Sequence, residues 1–275
     1  MVTMDEPDQP DFFTRRQLLR VAGSVGLAST IGACSSEPRM DHVSSNGKNP
    51  PSAKLAAMAA TDAGLPARPP SGPLAPAPAI SSAQLLCRDA WGARPARTGG
   101  KLHSVTRMTL HHEAVVLGDN RNAPGRLRQD QRYHQDQQGW IDIAYHVGVD
   151  RNGNIYELRS PKIAGDTATD YNTTGHFLVL CEGDFDREVV SEAQIHGAAL
   201  AFAWAARTFG IPTSTLAGHR DLAQTSCPGA NLYAHVSSGD LKHRIDDLMA
   251  AGAADLQLFC GPDATARVAA IEAGN

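Results

Sequence analysis

At 275 residues with a formal net charge of −4 at pH 7, and with no Lys/Arg-rich block in its body, the chain lacks the electrostatic footprint of a nucleic-acid binder. No internal repeat is visible, which excludes repeat-built architectures. Once the first 80 residues are set aside, the remaining length suits one α/β domain of ordinary size, expected as a monomer.

The chain opens on Thr14-Arg15-Arg16-Gln17-Leu18-Leu19-Arg20 and a modest apolar stretch ending at Ile31, the pattern of a twin-arginine export signal. That stretch falls short of the roughly 20 apolar residues a spanning helix needs, and Gly23, Ser24, Gly26 and Ser29 dilute it. Ile31-Gly32-Ala33-Cys34 resembles a bacterial lipobox, so residues 1–33 are expected to be removed and Cys34 acylated, at about 0.8 kcal/mol of membrane affinity per buried CH₂. The alternative is an ordinary cleavage site at which Cys34 is incidental. Residues 34–80 are rich in Pro, Ser, Ala and Gly, including Pro50-Pro51 and Pro69-Pro70. They have few core-forming side chains and read as a tether.

Residues 81–260 carry the periodic patterns, with 261–275 expected as a C-terminal tail. Four strands are predicted, over residues 105–111, 144–149, 154–158 and 176–181; Asn152-Gly153 is expected to turn the second into the third as a tight hairpin, since both residues tolerate positive φ. Helices are predicted around residues 126–136 and 238–250. A third opens on the capping box Ser191-Glu192-Ala193-Gln194, buries Ile195, Ala198, Ala199, Phe202, Ala206 and Phe209, and stops at Gly210 and Pro212. The fold class is α/β, a mixed central sheet flanked by helices.

Gly218-His219-Arg220-Asp221 followed by Thr225-Ser226-Cys227-Pro228-Gly229 sets a histidine and a cysteine eight residues apart in a loop bounded by Gly and Pro. That is half of a zinc site, since catalytic zinc takes three protein donors and leaves one position to water. A third candidate stands at the end of the first strand, in His111-His112. Taken singly, a histidine is more often a hydrogen-bonding core or surface residue, and Cys227 alone reads as a small buried hydrophobe. With Cys34 assigned to lipid, Cys227 to metal and Cys181 to an apolar run, Cys87 and Cys260 bracket the domain and can pair outside the cytoplasm; other pairings stay open.

Seven segments occur in an order that resembles the zinc-dependent N-acetylmuramoyl-L-alanine amidases, the family of phage T7 lysozyme and the peptidoglycan recognition proteins. They are Arg88-Asp89-Ala90-Trp91-Gly92-Ala93-Arg94-Pro95, Leu110-His111-His112, the stretch from Gly139-Trp140 to Ala144-Tyr145-His146, and the stretch from Gly153-Asn154 to Leu158-Arg159. Tyr171-Asn172-Thr173, Glu182-Gly183-Asp184-Phe185, and the His219/Cys227 loop complete the set. The resemblance spans roughly residues 84–250.

It implies a T7 lysozyme-like fold and a zinc held by His111, His219 and Cys227, with His111 preferred over His112 as the first of the pair. His112, His146 and His176 are then non-ligands. Tyr145 matches the family's catalytic tyrosine, and Thr225 stands where an oxyanion partner is found. Glu182 is a weaker candidate for a general base. Two positions depart from the pattern: Glu113 follows the histidine pair in place of Thr, and Thr167 replaces a histidine upstream of Asn172. The implied activity is zinc-dependent hydrolysis of the amide between N-acetylmuramic acid and L-alanine in peptidoglycan, by an exported protein anchored to a membrane through Cys34. The rival readings are recognition of peptidoglycan without cleavage, or zinc hydrolysis of another amide.

Overall fold

The computed structural model describes residues 83–275; the expected signal, Cys34 and the expected tether lie outside the described residues. Strands β1 (Ala83–Leu86), β2 (Arg107–His112), β3 (Val147–Val149), β4 (Ile155–Glu157), β5 (His176–Cys181), β6 (Leu216–Gly218) and β7 (Leu256–Phe259) form one sheet in the order β6-β2-β5-β3-β4-β1-β7. Every neighbouring pair is parallel except β3 with β4. The α/β mixed sheet expected from the sequence is therefore present, with three short strands beyond the four predicted. β1, β6 and β7 have only three or four residues each, too few to show an alternating pattern.

Side chains alternate between faces along a strand, and the two cores follow that parity. Met108 and Leu110 of β2, with Phe177, Val179 and Cys181 of β5, join one core; Leu180 and Tyr156 join the other. The first core is covered by α2 (Glu192–Phe209) and α4 (Asp240–Ala250), the second by α1 (Ala123–Asp136) and α5 (Pro262–Glu272). Helix α2 begins as its capping box predicts, with Ser191 Oγ accepting from the Gln194 amide, and ends on Gly210 in the left-handed region. It is buried on more than the predicted stripe, because Gly197, Ala201, Ala203 and Ala205 also face protein.

Two local expectations are refined and one is corrected. The expected hairpin joins β3 to β4 as an antiparallel pair, and of Asn152 and Gly153 only the glycine, at φ +81°, takes a positive φ. Asp150 sets the turn: its Oδ1 accepts from the amides of Asn152 and Asn154, and its carbonyl accepts from Gly153 N–H. A side chain at Gly153 would place Cβ 2.6 Å from the Ala193 carbonyl oxygen, so glycine also lets the turn pack on α2. The helix expected over 238–250 is preceded by a separate α3 (Ala230–Ser237), Gly239 at φ +81° breaking the two apart. Residues 261–275 are not a tail: α5 buries Ala264, Val268 and Ile271 against Trp91 and Leu127.

Cys87 and Cys260 are joined by a disulfide, next to the Cys87 N–H that donates to Phe259 O. Among the described residues no helix is long and apolar enough to cross a membrane. Replacing both cysteines with serine is expected to lower stability by about 2–5 kcal/mol, read from chemical-denaturation midpoints; an unchanged midpoint would show that the bridge adds nothing.

Candidate metal centre

Register brings the first two donors together. β2 pairs in parallel with β6 so that Leu110 faces Gly218, and His111 and His219 therefore leave neighbouring strands side by side. Parity then separates His111 from His112. His111 shares the face of Thr109, whereas His112 turns towards Phe185, whose amide donates to its Nδ1 at 3.2 Å.

His219 begins a 3₁₀ turn, His219–Asp221, closed by Asp221, whose carboxylate accepts from Gly218 N–H at 2.8 Å and from the Tyr233 hydroxyl at 2.5 Å. The loop returns because Arg220 N–H donates to Cys227 O at 2.9 Å. Thr225 Oγ1 accepts from the Cys227 amide at 3.2 Å, which fixes the cysteine backbone. Gly229 follows at φ +86°, where a Cβ would lie 2.6 Å from the Phe185 carbonyl carbon. No other residue fits that approach without displacing the segment after β5.

His111, His219 and Cys227 each contribute one donor atom to a group lying within 4.8 Å of one another, and this is the cluster of its kind among the described residues. Cys227 Sγ is 3.7 Å from His111 Nδ1. Nitrogen and sulfur donors on one tetrahedral zinc, at bond lengths of about 2.0 and 2.3 Å, stand about 3.5 Å apart, so the donor set fits that ion. Sγ also accepts from His112 N–H at 3.4 Å, a contact that favours a thiolate. Burial, and then the neighbouring His219, hold the His111 imidazole well below its ordinary pKa. It is neutral, as a ligand must be.

Other histidines are occupied. His146 accepts from Leu178 N–H at Nδ1 and reaches Ile163 O through Nε2, and burial lowers its pKa to about 3. His176 Nδ1 lies 2.7 Å from Thr109 Oγ1. Tyr145 lies just before β3, not within a strand, and its ring is 5.1 Å from that of His111. It packs edge-on to His134, whose Nδ1 accepts from Ala144 N–H.

Two residues that the sequence left without a role reach the centre. Thr169 Oγ1 stands 2.7 Å from His219 Nε2, and Tyr171 Oη 3.3 Å from His111 Nε2. The 166–174 segment that carries them also lines a cavity of about 300 Å³ with Lys101, Trp140 and Arg159. A larger cavity of about 580 Å³, lined by Gln84, Asn154, His196 and Arg267, includes no residue of the centre.

Residues 101–230 match the family described as N-acetylmuramoyl-L-alanine amidase. The solved structure of wild-type PGRP-LB from Drosophila is 30% identical, with TM-score 0.52, and the match covers 57% of this chain and 94% of that one. The chain belongs to this amidase and peptidoglycan-recognition family. Among its curated relatives, peptidoglycan-recognition protein LB of Drosophila melanogaster is 29% identical over 163 residues, 58% of this chain and 70% of that protein. The human N-acetylmuramoyl-L-alanine amidase is 34% identical over 154 residues, 54% of this chain and 26% of that protein.

One feature of this amidase-family domain lies where the sequence departs from the family pattern. Glu113 is buried against Glu182, with Arg126 Nε 3.6 Å from its Oε1. Burial raises both carboxyl groups, joined by the Glu182 charge for Glu113 and by the Asp130 charge for Glu182, which is lifted to about 8, so the pair holds a proton at neutral pH. A carboxyl raised in the fold from an ordinary 4.5 contributes fully below that value, and its contribution is lost as pH rises towards 8. Wild-type stability should therefore decline between about pH 5 and 8, and Glu182→Gln should flatten the decline. Equal slopes for both proteins in denaturant titrations would refute this.

Proposed function

We propose that the protein is a zinc-dependent amidase that hydrolyses the bond between N-acetylmuramic acid and L-alanine in peptidoglycan. The observation that carries this reading is the convergence of His111, His219 and Cys227 on one point, within a family whose curated members include N-acetylmuramoyl-L-alanine amidases. Substrate class is supported by a solved relative, a tyrosine variant of Drosophila PGRP-LB at 27% identity, described in complex with tracheal cytotoxin.

Zinc held by these donors supplies a Lewis acid and lowers the pKa of its water from 15.7 towards about 7. The chain's own residues do the rest. Cys227 and the imidazoles of His111 and His219 would hold the ion at the carboxyl ends of β2 and β6, where α/β sheets commonly bind ligands. Tyr145, packed on the His111 ring, offers its hydroxyl to the oxygen that gains charge as the amide carbonyl is attacked. Thr225 Oγ1 is committed as an acceptor to the Cys227 amide, so its remaining O–H is the group available as a second, neutral donor.

Incubation of the protein with purified peptidoglycan should yield lactyl carboxylates and free N-terminal L-alanine by mass spectrometry. Cys227→Ser is expected to lose zinc and cleavage together. Tyr145→Phe should keep zinc and lower turnover by roughly 10²-fold or more. Binding of peptidoglycan with no new termini would instead make the domain a recognition module.

The proposed enzyme works outside the cytoplasm, exported through the Arg15-Arg16 signal and anchored by acyl chains on Cys34. The lipobox pattern of residues 31–34 supports this part of the reading. Cys34→Ala should move activity from the membrane fraction to the soluble one; activity that stays with the membrane rules out the lipid anchor.

A further inference from the structure

The two imidazoles of the centre each have one nitrogen turned to a hydroxyl. His111 presents Nδ1 to Cys227 at 3.7 Å and Nε2 to Tyr171 Oη at 3.3 Å. His219 has its Nε2 at 2.7 Å from Thr169 Oγ1, and its ring offers one donor atom to the shared point. Both hydroxyls come from one short segment. Tyr171 N–H donates to Thr169 O at 3.0 Å, a tight turn that carries the two side chains together.

The segment is pinned at both ends. Arg159, with a side chain only 2% exposed, holds Asp166 at 2.6 Å and also donates to the carbonyls of Asp142, Ile143 and Ala164. At the other end Thr173 Oγ1 donates to Gly165 O at 2.7 Å. Behind Thr169, Thr167 Oγ1 lies 2.8 Å from Thr169 Oγ1 and accepts from the Thr169 amide. The hydroxyl that meets His219 is thus itself oriented by a neighbour.

Which nitrogen of a histidine binds metal is set by the hydrogen bond that the other makes. We propose that Thr169 and Tyr171 are positioning residues for the metal centre: their hydroxyl oxygens accept the Nε2 protons of His219 and His111 and so commit both Nδ1 atoms to the ion. The proposal rests on the zinc reading above. Its chemistry is specific, because neutral hydroxyls orient the rings without adding the negative charge that a carboxylate partner would supply. The imidazoles stay less basic, and the ion keeps more of its electron demand for the substrate. Thr167, at the position where the sequence departs from the family pattern, supports this arrangement by holding Thr169.

A purely structural role, satisfying two buried nitrogens, would lower the stability of the metal-free protein and leave metal affinity alone. The test is therefore zinc affinity of the full-length chain, measured by competition with a chromophoric chelator, beside melting of the metal-free protein. Thr169→Val and Tyr171→Phe should each weaken zinc binding by about 10-fold or more, while Thr169→Ser, which keeps the hydroxyl, retains wild-type affinity. Nitrogen-15 spectra of the zinc-loaded wild type should show protons on Nε2 of both histidines. Should Thr169→Val not fold, Tyr171→Phe and the spectra carry the same comparison. Wild-type affinity in the variants, or a fall in melting temperature alone, overturns the proposal while leaving the zinc reading intact. A wild-type chain that takes up no zinc overturns both.

Discussion

The parallel register of β2 between β5 and β6 is the constraint on which the centre depends. Pairing Leu110 with Gly218 places the next residue of each strand at the same height on the sheet edge, and both are histidines. A slip of one residue would turn His111 to the face of Met108 and Leu110 and bring His112 inward. The core prevents that slip, because Met108 and Leu110 are wholly buried against α2 and its neighbours. Hydrophobic packing on one face of β2 thus fixes polar chemistry on the other.

That arrangement buries polar groups on a large scale. His111, His112, His134, His146, His176 and His219 are all buried, and a buried imidazole without a partner is destabilising by about 1–3 kcal/mol. The fold answers with backbone amides, carbonyls, hydroxyls and the Asp130 carboxylate placed against these rings, which orient them. The Glu113–Glu182 pair follows another course. It sits one step beyond His111 on the same face, at the ends of adjacent strands, and lowers its charging cost by keeping a proton. The result is a centre flanked by buried polar groups.

Much of this was legible in the sequence where local patterns are strong. The strand over His176–Cys181, the capping box at Ser191 and the αL stop at Gly210 each rest on neighbours a few positions away. The donor trio was legible because the His219 to Cys227 loop is short and its Gly and Pro residues mark its ends. The rest depends on contacts distant in the chain. β6 exists because β2 lies beside it, and α5 is held by Trp91 and Leu127, far upstream. The Asp150 side chain caps the hairpin turn, a contact that the Asn-Gly pair alone does not reveal. Thr169 and Tyr171 sit in a segment without periodicity, and their proximity to His219 and His111 follows from the anchoring by Arg159.

The bridge between Cys87 and Cys260 encloses every residue assigned to the centre, so the working part of the chain is a covalent ring. One peptide-bond cut anywhere between the two cysteines opens that ring without separating its pieces. Both fragments stay joined, the sheet can keep its pairing, and all three donors remain on one molecule. Loss of any donor-bearing fragment takes a second cut or a reductant. In surroundings that contain proteases but little thiol, the domain can survive as a nicked yet intact body.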